Sequence, residues 1–139
     1  MLMLLYYFWV MELVKKEMAL DFGKVVLLEN GILSFVAAAN LDTITLSQLE
    51  ELLAVFVEVT DGKPMPFYSD NTQMKSLGHQ ERKYIGDNLY LFASASAVKE
   101  SSTSVRFIGN AINHLFTPKV PMRMFKTKEE AFDWLGSLE

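Results

Sequence analysis

The sequence predicts an α/β domain of order β-β-α-β-α-β-α-β-α, a mixed, mainly parallel five-stranded sheet with helices on one face. Three observations carry this. Asn30-Gly31 sits between two runs of strand formers, and that dipeptide is the strongest short-range hairpin signal. Beyond the hairpin, strand-like runs alternate with stretches of helical period, the mark of crossover units and parallel strands. Two of the helical stretches open on capping signatures, Thr45 with Gln48 and Thr127 with Glu130, which satisfy backbone N–H groups that have no partner within the helix.

Taken in order, residues 24–39 read as the hairpin, Val25-Val26-Leu27-Leu28-Glu29 and Ile32-Leu33-Ser34-Phe35-Val36 flanking the turn. A helix follows from Thr45. Leu46, Leu49, Leu53, Phe56 and Val57 form its stripe, and Leu52, Val55 and Val59 broaden it. Asp61-Gly62-Lys63-Pro64 ends it, because glycine accepts a left-handed cap and proline cannot continue the helix. Residues 65–69 read as an inner strand, residues 70–78 as a polar loop and residues 79–88 as a short helix. In 91–98 the alanines at 93, 95 and 97 alternate with larger or polar residues, which favours strand over helix and leaves one face small enough for close packing. Residues 101–116 carry a helical stripe, and 120–125 read as the last strand. The final helix shows Ala131, Trp134, Leu135 and Leu138 at core spacing.

At 139 residues the chain has the length of one domain, able to bury about two-thirds of its unfolded surface without disulfides or metals. It contains no cysteine, which excludes disulfides and thiolate chemistry and agrees with a cytoplasmic location. A net charge of −4 and the lack of any Lys/Arg run argue against nucleic acid as a partner. Residues 1–20 read as an apolar N-terminal segment and residues 21–139 as the single domain. The apolar run MLMLLYYFWVM is too short for a bilayer span, which takes about 20 residues, and lacks the features of a secretory signal. Three readings stand for residues 1–10: a start at Met11, packing on the domain or a partner chain, or a weak membrane contact.

The ending Pro121-x-x-x-Phe125 followed by Thr127-x-x-Glu130-Ala131-x-x-Trp134-Leu135 resembles the bacterial SpoIIAA-like proteins of the STAS superfamily. Arg106-x-x-Gly109-Asn110 and Arg82 add to the likeness, which covers residues 21–139. The resemblance implies a superhelix of βα turns. It also implies a regulatory or protein-interaction module, since members of the superfamily act as anti-sigma-factor antagonists or ligand sensors. A related group shares its fold with lipid-carrying domains, and many of the most similar members have no assigned function. The antagonists carry a phosphorylated serine in an Asp-Ser-Ser-Gly type motif after an inner strand. Here that place reads Ser69-Asp70-Asn71-Thr72-Gln73-Met74-Lys75-Ser76-Leu77-Gly78, without the motif. Ser69, Thr72 and Ser76 are phosphorylation candidates by position alone.

Nothing in the sequence supports an enzyme. His79 and His114 lack neighbours at metal-ligand spacing, the serines at 94 and 96 lack a G-x-S-x-G elbow, and no phosphate-binding glycine loop occurs. No cofactor is expected. The most polar cluster near a C-terminal strand end is Asp70, Asn71, Arg82 and Lys83, the edge where open α/β sheets bind ligands. Phe107, Met124 and Phe132 fall off or at the margin of the helical and strand stripes and are candidates for an apolar pocket or dimer face. The expectation is therefore a non-enzymatic interaction module with a protein partner or a second copy of itself. The alternative is a carrier or sensor of a small apolar ligand or lipid.

Overall fold

The computed structural model describes residues 13–100 and 120–138. The expectations for residues 1–10, the helix at 101–116 and Phe107 lie outside them. Among the described residues six strands form one sheet in the order β1 to β6: Val14–Leu20, Gly23–Leu28, Leu33–Ala37, Met65–Asp70, Ala93–Lys99 and Met122–Phe125. Helix α1 (Leu46–Val59) lies between β3 and β4, α2 (His79–Asn88) between β4 and β5, and α3 (Lys128–Ser137) follows β6. The β1-β2 and β2-β3 pairs are antiparallel, and the three later pairs are parallel.

The predicted turn forms as expected. Gly31 holds φ +88°, and the Asn30 side chain accepts a hydrogen bond from the Ile32 N–H at 3.0 Å. At the start of α1 the capping box closes in both directions, Gln48 N–H to Thr45 Oγ1 at 3.1 Å and Thr45 N–H to Gln48 Oε1 at 2.9 Å. Its end turns through positive φ at Asp61 and Gly62. The cap of α3 differs from expectation. Thr127 Oγ1 accepts from the Glu130 N–H but donates to Glu130 Oε1 at 3.1 Å, so this carboxylate holds the hydroxyl.

Two expectations are corrected. The sheet has six strands, because residues 14–20 add an edge strand to the hairpin. Lys15, Lys16 and Glu17 hide it in the sequence by interrupting the apolar alternation, and such charges are a common protection of sheet edges. The helices also occupy both faces, not one. Val25, Leu27, Phe67 and Phe92 pack with Leu49, Leu52 and Phe56 of α1 in one core. Val26, Leu28, Tyr68, Ala95 and Ala97 face Ala131, Phe132 and Leu135 of α3 in the other. Successive strand residues point to opposite faces, so Val25-Val26-Leu27-Leu28 feeds both cores, as expected of a strand buried on two sides. In α3, Ala131 and Leu135 are buried as predicted, Phe132 is buried with them, and Leu138, just past the helix end, is exposed.

Next to the first core, Tyr84 of α2 packs against Leu49, Leu52 and Leu53 around a small recess. Burial, and after it the Glu50 carboxylate, pushes its phenol above the ordinary 10.0. The folded state therefore favours the neutral phenol. The associated stability is fully present below the ordinary value and is lost as pH climbs through the raised one. Tyr84→Phe is expected to unfold less readily than the parent in that alkaline window while matching its pH dependence near neutrality. Denaturant midpoints across the window measure this, and parallel curves for the two proteins would contradict it.

Candidate functional site

The parallel strands β3, β4 and β5 end at one sheet edge, where two loops meet. Gln73, in the loop after β4, donates from Nε2 to the carbonyls of Ala38 and Leu41 at 2.6 and 2.7 Å, and the Lys75 N–H bonds to Asp42 O at 2.8 Å. The loop is thereby pinned to the β3–α1 connection. Asp70 closes the last residue of β4: its Oδ1 accepts from both the Thr72 N–H and Thr72 Oγ1, at 3.0 and 2.7 Å. The Lys99 ammonium lies 3.8 Å from the other Asp70 oxygen, and the Asn71 N–H bonds to Lys99 O.

This edge separates two recesses. On the α1 face a cavity of about 140 Å³ lies between α1, α2 and the sheet, floored by Phe67, Phe92 and Met122 with Ser69 and Ser96, and Asp70, Asn71 and Gln73 stand at its polar end. On the α3 face a cleft of about 390 Å³ runs between α3 and the hairpin strands. Val14, Val36 and Phe132 supply apolar walls, and Lys24, Thr72 and Lys128 the polar ones. Asp70 borders both.

The structure divides the polar cluster expected from sequence. Asp70 and Asn71 stand at the strand edge, whereas Lys83 pairs with Asp87 one turn along α2 at 2.6 Å. Arg82 turns back to the Leu77 carbonyl, at 3.4 Å from Nη1, leaving a buried Nε without a hydrogen-bond partner among the described residues. Neither basic residue lines the cavity. Among the phosphorylation candidates, Thr72 and Ser76 are exposed and Ser69 is buried in β4. Met124 lines the α1-face cavity and Phe132 the α3-face cleft, so the sheet itself separates these two residues and they share no pocket. Neither Ser96 nor Gln73 is among the candidates that the sequence offers. The alternation of β5 held the signal for Ser96: a polar residue in phase with the face that receives α1.

No group of His, Asp or Glu able to hold a metal ion occurs among the described residues, and none of their helices is long and apolar enough to cross a membrane.

A mixed sheet entered by a hairpin, continued by parallel crossovers and closed by a C-terminal helix defines a SpoIIAA-like α/β domain. It is similar in structure to an uncharacterized protein of the DUF3478 family with a SpoIIAA-like fold from Shewanella loihica PV-4, with a TM-score of 0.56. The two share 13% identity, and the match covers 86% of this chain and 90% of that one. At that identity the likeness speaks for the fold. The chain belongs to the DUF7793 family, described as a domain of unknown function, which matches residues 26–139. No curated protein matches the sequence.

Proposed function

We propose that this domain is a non-enzymatic regulatory module that binds another protein through the α3-face cleft and the adjoining hairpin strands. The observation that carries the reading is uneven cover on that face. Helix α3 packs on β4, β5 and β6, while Val14 and Val36 on the hairpin side remain 48% and 46% exposed. Beside them lies the Lys24–Glu17 ion pair, 3.1 Å apart. Apolar walls with a charged rim match the anatomy of protein interfaces better than that of a lipid site. A lipid or drug-sized ligand takes roughly 300–1,000 Å³ of largely apolar pocket, and the apolar cavity on the α1 face, at about 140 Å³, is smaller. On this reading the occupant of the cleft, whose lining mixes apolar with charged and hydroxyl side chains, is a protein segment.

Val36→Asp places a charge in the centre of this surface at little cost to the fold. Proteins captured by the parent but not by the variant are the partners expected. Each is then to be reconstituted with purified components, where the variant is expected to bind at least tenfold more weakly, about 1.4 kcal/mol. A variant that retains every partner at parent affinity would overturn the reading. Sedimentation of the purified domain separately reports whether a second copy fills the cleft.

A further inference from the structure

The α1-face cavity holds two polar groups that have no partner among the described residues. Ser69 and Ser96 are 8% and 2% exposed and belong to neighbouring parallel strands. Ser96 lies opposite Phe67, two residues before Ser69, so both hydroxyls belong to the same sheet face and line the same cavity. Neither hydroxyl has a hydrogen-bond partner among the described residues. Buried polar groups are nearly always satisfied by protein, water or ligand, and leaving one unpaired is unfavourable. Apart from Asp70, Asn71 and Gln73 at the polar end, the other walls are apolar, mostly Leu, Ile, Phe and Met, including the stacked rings of Phe56 and Phe92 with centroids 4.3 Å apart.

Size narrows the occupant. The cavity measures about 140 Å³. An engineered apolar cavity of about 150 Å³ lined by Leu, Ile and Phe takes up benzene. The position is also where open α/β sheets receive ligands, at the C-terminal ends of parallel strands. Met74, Met122 and Met124 supply walls that adapt to the shape of an occupant.

We propose that this cavity is a binding site for an uncharged, benzene-sized amphiphile: one ring or short chain bearing a single hydroxyl-type group that bonds to Ser69 and Ser96. The site is independent of the partner surface, since it lies on the opposite face of the sheet.

The probes are phenol and benzene, titrated into the full chain with labelled methionine methyl groups followed by NMR. Saturable shifts at Met74, Met122 and Met124 are expected for both. Phenol is expected to bind about two- to tenfold more tightly, the ratio that one net neutral hydrogen bond confers. In the Ser69→Ala, Ser96→Ala double variant phenol is expected to fall to the affinity of benzene, with benzene itself unchanged. If neither probe saturates these methyl groups, the site does not exist. Equal affinity of the parent for the two probes would remove the role of the hydroxyls, a comparison that needs no variant to fold. Either failure leaves the Val36→Asp experiment untouched.

Discussion

Phe56→Ala is expected to destabilise the domain by about 3–5 kcal/mol, the range for truncating a buried aromatic residue. Phe56 is 3% exposed, in the last turn of α1, and its ring meets Phe67 of β4 and Phe92, which precedes β5. It stacks on Phe92 at 4.3 Å with planes 26° apart, and meets Phe67 edge-on at 5.2 Å. Phe67 and Phe92 complete the triangle at 5.2 Å and 86°. Each such pair adds about 0.5–1.5 kcal/mol beyond the apolar area it buries. Alanine removes two pairs at once and leaves a void that backbone hydrogen bonds of the helix and the sheet prevent from collapsing. Small domains have about 5–15 kcal/mol of stability in total, so the variant is expected to lose a large fraction of it. Urea unfolding measures the change. A matched control is Val57→Ala in the next position, whose side chain is exposed and whose loss is expected to stay within about 0.5 kcal/mol. Equal losses at 56 and 57 would mean that α1 does not dock through this triangle.

The helix stripe in 46–59 was legible because helical period and capping chemistry are local. Thr45 and Gln48 lie within one turn, so their mutual hydrogen bonds need no information from the rest of the chain. The turn at Asn30-Gly31 is equally local. Strand β1 was not legible, because its identity comes from pairing with β2 rather than from its own pattern. Lys16 pairs across from Leu27 and sends its ammonium to Asp61 beyond the end of α1, at 3.3 Å, a contact with a residue 45 positions away. The distribution of helices over two faces was hidden for a related reason. The strand Gly23–Leu28 is apolar at four consecutive positions, and a run of that kind shows burial without showing which element covers each side.

The candidate site was half legible. Position near a C-terminal strand end singled out Asp70 and Asn71, and both stand at the edge between the recesses. Arg82 and Lys83 share a helix with that edge nearby, but side-chain direction decides contact. Lys83 projects to the same helix surface as Asp87, four residues on, and Arg82 folds back on Leu77. Gln73 was missed because an amide in a polar loop has no pattern. Its value comes from two carbonyls over thirty residues away in the sequence, which only the fold brings within 2.7 Å.

Gly23→Ala is expected to cost about 1–3 kcal/mol, the range for adding atoms to a filled core, through a clash that no rotamer change relieves. Gly23 opens β2 and pairs with Leu20 on one side and Ala37 on the other, so its backbone is held by both neighbours. A Cβ there would stand 2.6 Å from the Val36 carbonyl oxygen and 2.7 Å from the Phe35 ring. The ring packs on Phe22 at 5.9 Å and has little room to retreat, and the carbonyl belongs to the β3 backbone. Relief therefore requires the β2-β3 ladder to open at its end, which would shift Val36, the exposed anchor of the proposed partner surface. The variant is expected to show a lower urea midpoint and faster amide exchange in β2 and β3, with α3 and β6 protected as in the parent. Gly136→Ala provides the contrast. A Cβ at that helical position meets nothing within 4 Å, and exchanging glycine for alanine in a helix favours the folded state by about 1 kcal/mol. If both substitutions stabilised the domain, the close approach of β3 to Gly23 would be wrong, and with it the placement of Val36 in the wall of the cleft.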